Sequence, residues 1–355
     1  MNLGIRRVSL PADRQEMIDV LNRYFNPIQE ARFDWRHIDN PAGECWSWFM
    51  YDKSSKATVA VATVFPRFMR VDGKRLRVGQ VGEFGVDSTY RSLGPAVLMQ
   101  RTTFEPVNSG ELIFCYDCPP HDKGMSTFVR LGMRPNCEVR RHALLLRSDE
   151  YLAKRLGEAL WTKPLVAGVN LLLRMRRGKR RSPGLEISKY TGPFDDEFTH
   201  LDEIASAKRT IRSSRSAQDL NWRYIEDPMA SMGAPSGEAQ NYQVFVARRS
   251  GELKAFLIFL IQSDGVAVLV DLFGLDLPDT GLALLETAVE ICRRENVRSF
   301  HGFCSEDSEL KPLFAILGLR PRERDARVVA YIKPEDSALL NSGMRWAFSQ
   351  VEVSL

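Results

Sequence analysis

The sequence predicts an α/β (α+β) protein of two similar units, each a mixed, mostly antiparallel sheet flanked by helices, and three observations carry this. Two segments recur in the same order at nearly one offset. FDWRHIDNPAG at 33–43 returns as LNWRYIEDPMA at 220–230, and FVRLGMRP at 128–135 returns as FAILGLRP at 314–321, 187 and 186 residues on. The pattern of strand-like and helix-like runs around each pair is the same. A length of 355 residues also exceeds one typical domain. The expected division is 1–150, a linker at 151–184, and 185–355.

In the first unit GIRRVSL reads as a strand, and PADRQEMIDVLNRYF as a helix with Met17, Val20, Leu21 and Tyr24 on one face. FDWRHIDNP reads as a helical segment stopped by Pro41. CWSWFMYD, ATVAVATVFPRFMRV and RLRVGQVGEFGV alternate as strands, with Asp72-Gly73 as a hairpin turn. A helix from Gly94 to Phe104, the strand ELIFCYD, a helix ending at Gly132 and the strand VRRHALLLR complete it. The second unit runs LEISKY, the helix DDEFTHLDEIASAKR, a hairpin turning at Ser250-Gly251, the strand VAVLVDLFGLD, and then helix, strand, helix and strand to ARVVAYIK.

With 44% hydrophobic and 26% charged residues the composition is that of a soluble globular protein. A net charge of +4 without a localised basic face gives no reason to expect a nucleic-acid partner. No signal peptide or spanning segment is legible, so the expected location is the cytoplasm. Between the units, six of the eight residues at 174–181 are Arg or Lys, directly after an apolar run. A linker helix with a solvated basic end is one reading, and a peripheral membrane contact through 163–181 is the other.

The stretch 81–105 ends a strand in a short Gly-containing turn and opens a helix, an arrangement that aims unpaired N–H groups at one point and attracts phosphate. Its core, VDSTYRSLGPA at 86–96, resembles the acyl-CoA motif of the GCN5-related N-acetyltransferase superfamily, a β-strand followed by Arg/Gln-x-x-Gly-x-Gly/Ala. Arg91, Gly94 and Ala96 fill the patterned positions, and 128–135 is similar to that family's helix ending in a Leu-Gly corner. The resemblance covers most of 1–147 in element order and 186–334 more faintly. It implies an N-acyltransferase using acetyl-CoA or another acyl-CoA, held by Val86, Arg91, Ser92, Leu93, Gly94, Pro95 and Ala96. The implied partner is a small-molecule amine acceptor. An amino sugar or cell-envelope precursor leads, because the Trp-Arg corners and basic linker look like bacterial polysaccharide-associated proteins. The alternative is a non-catalytic acyl-CoA-binding or assembly module.

The candidate base is Glu83, on one strand face with Gly85 and Asp87, and its competing reading is a structural carboxylate paired with Arg77 or Arg91. His121, in the loop after ELIFCYD, is a second candidate. The resemblance implies a proton-donating Tyr on the later helix, but Phe128 and Phe314 stand there and cannot donate. Cys115, Cys118 and His121 have a ligand-like spacing, yet an offset of three turns the two thiols to opposite strand sides, so no metal site is expected. The second unit's turn lacks the Arg and carries Asp276 and Asp279, which would repel a pyrophosphate, so only the first unit is expected to take the cofactor. Trp35 and Trp222 read as packing residues, since both units keep them.

Overall fold

The computed structural model describes residues 2–90, 93–119, 121–149, 168, 183–206, 209–231, 240–340 and 343–353. The first half runs β1 (Leu3–Arg7), α1 (Arg14–Tyr24), α2 (Glu30–His37), β2 (Trp46–Asp52), β3 (Thr58–Val71), β4 (Lys74–Val86), α3 (Leu93–Thr102), α4 (Glu105–Asn108), β5 (Phe114–Asp117), α5 (Asp122–Arg130) and β6 (Cys137–Leu145). The second half runs β7 (Leu185–Tyr190), α6 (Asp196–Ile204), β8 (Thr210–Ser213), α7 (Ala217–Tyr224), β9 (Ala230–Ser231), β10 (Gln240–Arg249), β11 (Glu252–Ile261), β12 (Val266–Gly274), α8 (Thr280–Arg294), β13 (Ser299–Ser305), α9 (Leu310–Leu317), β14 (Arg320–Ile332), β15 (Arg345–Trp346) and α10 (Gln350–Val353). The fold is thus mixed α/β, antiparallel except where β4 meets β5 and β12 meets β13 along the main strand path.

Local chemistry accounts for the punctuation. Asp72 and Gly73, and again Ser250 and Gly251, all take positive φ, the geometry a two-residue hairpin needs to match strand twist. Gly132 and Gly318 end α5 and α9 in the left-handed region. Pro66 is tolerated inside β3 because it falls in a gap: β2 pairs β3 only through Val64, and β8 joins the same edge from Met69. β8 is itself a departure from the sequence reading, which made no strand of 210–213. It forms because the long β3–β4 hairpin projects past its own half and offers an open edge, on which Ile211 becomes fully buried.

The sequence did not show how the two halves join. The strand order is β1-β2-β3-β4-β5-β14-β6-β13-β12-β11-β10-β7. The long strand β14 of the second half lies against β5 of the first, with Val329 opposite Asp117, while β6 of the first half pairs with β13 of the second. The halves exchange these strands and share one continuous sheet.

Across the junction the repeated corners meet. The Trp35 and Trp222 rings stack at 4.6 Å, and each indole N–H donates to the other's main-chain carbonyl, at 2.8 and 3.2 Å. They pack, as expected, and they pack on each other. Buried polar groups add a lock: Arg70 of β3 donates to Asp202 at 2.9 Å. Arg215 lies between Asp271 of β12 and Glu352 of α10, at 3.0 and 3.1 Å. The carbonyls of α10 turn back to the first half, Val351 accepting from Arg67 and Glu352 from the Tyr116 hydroxyl.

Candidate functional site

β4 and β5 pair in parallel only at Gly79–Cys115 and Gln80–Tyr116. Beyond that β4 continues to Val86 while β5 stops at Asp117, so the strands part and the sheet opens. A cleft of about 1010 Å³ occupies the opening. Tyr24 and Phe25 line it from the α1 side, Glu83 and Val86 from β4, Ala96 from α3, and Asp117, His121 and Phe128 from the β5–α5 side.

The parting is helped by a β-bulge. The β3–β4 register jumps from Val61–Gly85 to Thr63–Gly82, and Glu83 takes φ +49° within it. A bulge re-aims the side chains around it. Glu83 therefore faces α2, where its Oε2 lies 2.9 Å from His37 Nε2 and accepts from the Thr63 hydroxyl at 3.1 Å, while Oε1 lies 3.4 Å from an Arg36 nitrogen. This replaces the partners expected from sequence: Arg77 instead donates to the Ala42 carbonyl at 2.7 Å and lies over the Trp46 ring. Burial pushes the Glu83 carboxyl up, but His37 and Arg36 outweigh it and hold the group below the usual carboxylate value. His37 Nδ1 sits 3.1 Å from the Phe33 carbonyl, which only accepts, so the ring N–H there donates to it while Nε2 faces Glu83. His37, fully buried, gave no signal in the sequence beyond its place on α2.

Asp117 is the second group that sequence reasoning passed over. It ends β5 on the same strand face as Cys115, which packs with Met99 and Phe128. Burial pushes its carboxyl up to about 7, against a hydrogen bond from the Cys118 N–H that lowers it. A carboxyl in that range exchanges protons at neutral pH.

At the far end of the cleft is the start of α3. Arg91 and Ser92 lie outside the described residues, as does the basic segment 163–181, and of Leu93 only its place in the helix is described. Among the described residues, a Cβ built on Gly94 would meet no atom within 4 Å beyond its chain neighbours and its own helix backbone. Pro95 sits in the first turn, where a missing N–H costs little, and Ala96 and Val86 line the cleft. The second half differs at the corresponding place. A Cβ on Gly281 would meet Leu277 at 3.0 Å and Leu313 at 3.3 Å, and Asp276 and Asp279 flank the start of α8, where both pair with Arg249. That helix start is packed and acidic, while the first is open.

His121 lines the cleft, exposed, just before α5. Phe128 is buried against it. Cys115 and Cys118 fall into different core clusters, and among the described residues no group of three or more His, Cys, Asp or Glu could hold a metal ion. Among the same residues no helix is long and apolar enough to cross a membrane.

No protein-family model matches the chain, and no curated protein matches it in sequence. Solved structures match it in fold. A probable N-acyltransferase from Enterococcus faecalis V583 is 13% identical over 94% of this chain and 72% of that one, with a TM-score of 0.63. Saccharomyces cerevisiae N-myristoyltransferase with bound myristoyl-CoA is 14% identical over 100% and 89%, with a TM-score of 0.58. A GCN5-related N-acetyltransferase from Anabaena variabilis ATCC 29413 is 12% identical over 93% and 73%, at 0.63. The parted β4 and β5 and the open helix start thus belong to a chain whose fold is that of the GCN5-related acyltransferases.

Proposed function

We propose that the chain is an acyl-CoA-dependent N-acyltransferase, moving an acetyl or longer acyl group to the nitrogen of an amine. The observation that carries this reading is the cleft itself, which runs from Ala96 in the first turns of α3 to a carboxyl held near neutrality by burial. The pyrophosphate rests on the first N–H groups of α3 beside Gly94, with Arg91 and Ser92, the two residues that precede α3 in sequence, as its further candidate partners. The pantetheine arm runs along Val86 between the parted strands, as a third strand would. The yeast enzyme of like fold, which holds myristoyl-CoA, supports the same choice of co-substrate.

The amine enters from the α1–α2 side, through a groove of about 840 Å³ that meets the cleft at Glu83. Its nitrogen attacks the thioester carbonyl and becomes positively charged, and the held Glu83 carboxylate stabilises that charge. The ammonium of the adduct is far more acidic than a free amine, so a carboxylate with a low pKa can still take its proton. The carbon–sulfur bond then breaks, and Asp117 gives its proton to the departing thiolate. Asp117 thereby fills the role that Phe128 cannot. His121, at the rim, is the alternative proton carrier.

In this reading the chain is a duplication, with 1–150 the working unit and 185–355 a degenerate one that shapes the acceptor side, joined by 151–184. An amino sugar or envelope precursor is the leading acceptor class. Amine-dependent release of free CoA thiol from acetyl-CoA or a longer acyl-CoA tests the reaction. Binding of acyl-CoA without release by any amine would mark a binding module instead.

Gly94 supplies a separate check on where the cofactor lies. Gly94→Val adds a side chain that meets none of the described residues beyond its chain neighbours and its own helix, so the fold should survive, with the melting temperature lowered by the strain of a β-branched residue before Pro95. Acyl-CoA affinity should fall at least tenfold, because the added methyls occupy the phosphate's approach. Unchanged affinity would place the phosphates elsewhere.

A further inference from the structure

The groove that meets the cleft at Glu83 also opens, past Arg32 and Arg36, onto a cavity of about 190 Å³ between the two halves. Its lining is divided. Phe65, Leu260, Val268 and Val270 form an apolar wall, and Arg32, Arg36, Arg67 and Arg223 bring four guanidinium groups. Against these stand two carboxylates, Asp227 in the lining and Glu83 beside Arg36. Asp227 is engaged by the Met229 N–H and lies 3.7 Å from Arg32, while Arg67 and Arg223 each donate to the Val351 carbonyl. An excess of positive charge is left around the cavity.

Several polar atoms at this cavity have no partner. The hydroxyl of Tyr224, a residue 1% exposed, makes no hydrogen bond, nor does the buried Nε of Arg36, and the Nε of Arg32 has only the Asp227 carboxylate at 3.7 Å, beyond hydrogen-bond reach. Burial lowers the Arg36 pKa, and the neighbouring Arg32 and Arg67 lower it further against the pull of Glu83. Buried donors left unsatisfied are costly, and natural proteins keep them where something else completes them. What would complete a phenol hydroxyl and a guanidinium N–H, and draw Arg32 from its long contact with Asp227, is an acceptor of several hydrogen bonds carrying negative charge.

We propose that this cavity is the recognition subsite for the acceptor, and that the acceptor carries an anionic group, carboxylate or phosphate, on an apolar body, held by Arg32, Arg36 and Tyr224. The assignment of the bound molecule as the acceptor rests on the transferase reading above. The anion subsite stands on its own lining. Specificity follows from the unpaired donors: a neutral analogue leaves them unpaired and forfeits binding, whereas the correct anion satisfies them.

The test is calorimetric titration of the full chain with phenylacetate, phenyl phosphate and the neutral phenylacetamide, without any CoA compound. At least one anion should bind in the millimolar range or tighter, and the amide at least tenfold more weakly. Tyr224→Phe removes only an unpartnered oxygen, so its melting temperature should hold or rise while anion affinity falls about tenfold. Arg32→Met should weaken the anions alone. Preference for phenylacetate points to an amino-acid or peptide acceptor, and preference for phenyl phosphate to a phosphorylated one. Equal binding of the amide, unchanged anion affinity in both variants, or no binding of any probe would overturn the subsite. A separate acyl-CoA titration distinguishes the two readings: anion binding without acyl-CoA binding would leave the subsite and remove the transferase.

Discussion

Asp117→Asn should lower kcat by about two to four orders of magnitude, while acyl-CoA affinity stays within a factor of a few. The amide keeps the size and hydrogen-bonding of the carboxyl but cannot give the thiolate a proton. Because burial sets the Asp117 carboxyl at about 7, the acid form is the working one below that value, and wild-type kcat should fall as pH rises through it. The residual activity of Asp117→Asn should lack that alkaline limb. Stability moves the other way. The folded carboxyl titrates above its ordinary value, so the unfolded chain ionises first, and folding loses stability as pH climbs from about 4 to about 7. Asn carries no charge to desolvate, so at pH 8 the variant should melt above wild type. A full-rate Asp117→Asn enzyme would return the proton to His121 or to solvent.

Glu352→Ala should cost about 3–5 kcal/mol of stability, read as a fall in the denaturant midpoint. Glu352 is fully buried and accepts from Arg215 at 3.1 Å, from the Ser213 N–H at 3.0 Å and from the Ser349 N–H at 2.7 Å. Its removal leaves the Arg215 guanidinium with Asp271 as its remaining carboxylate partner and leaves two N–H groups without that acceptor. Burial alone would raise the Glu352 carboxyl, yet Arg215 and those N–H groups hold it below the usual value. The stability it provides is present at neutral pH and is lost as pH falls through the folded pKa. The consequence reaches the cleft. Val353, next to Glu352 on α10, lines it, and the Glu352 carbonyl takes the Tyr116 hydroxyl one residue from Asp117. Glu352→Gln, which keeps the volume and part of the hydrogen bonding, should lose less. A cost under about 1 kcal/mol for Glu352→Ala would mean that the halves are held without this network.

Much of the local structure was legible because it depends on neighbours in sequence. Asp72-Gly73 and Ser250-Gly251 fix their hairpins through positive φ, and the alternation of β2 to β4 and the Gly132 helix end need no distant contact. The strand exchange was not legible. β6 and β14 are half-buried strands of the same kind, and alternation says which face of a strand is buried, not which neighbour it pairs with. β8 was hidden for a similar reason, since only the edge of β3 from another half makes it a strand.

The site divides along the same line. Glu83 stood out because it is a carboxylate on the motif strand, and Gly94 because it fills a patterned position of the acyl-CoA motif it resembles. The partners of Glu83 came out differently, since the bulge turns it toward α2 and His37 rather than toward Arg77. Asp117 carried no spacing signal. Its chemistry comes from burial at the end of a short strand, with β14 of the other half closing one side, and that is a property of the assembled sheet.

The most direct test is a calorimetric titration of the full chain with acetyl-CoA and then with a longer acyl-CoA. One site per chain, weakened by Gly94→Val, is the expected result. Two sites would contradict the expectation that the packed, acidic start of α8 takes no cofactor, and no binding of either compound would contradict the cleft as an acyl-CoA site.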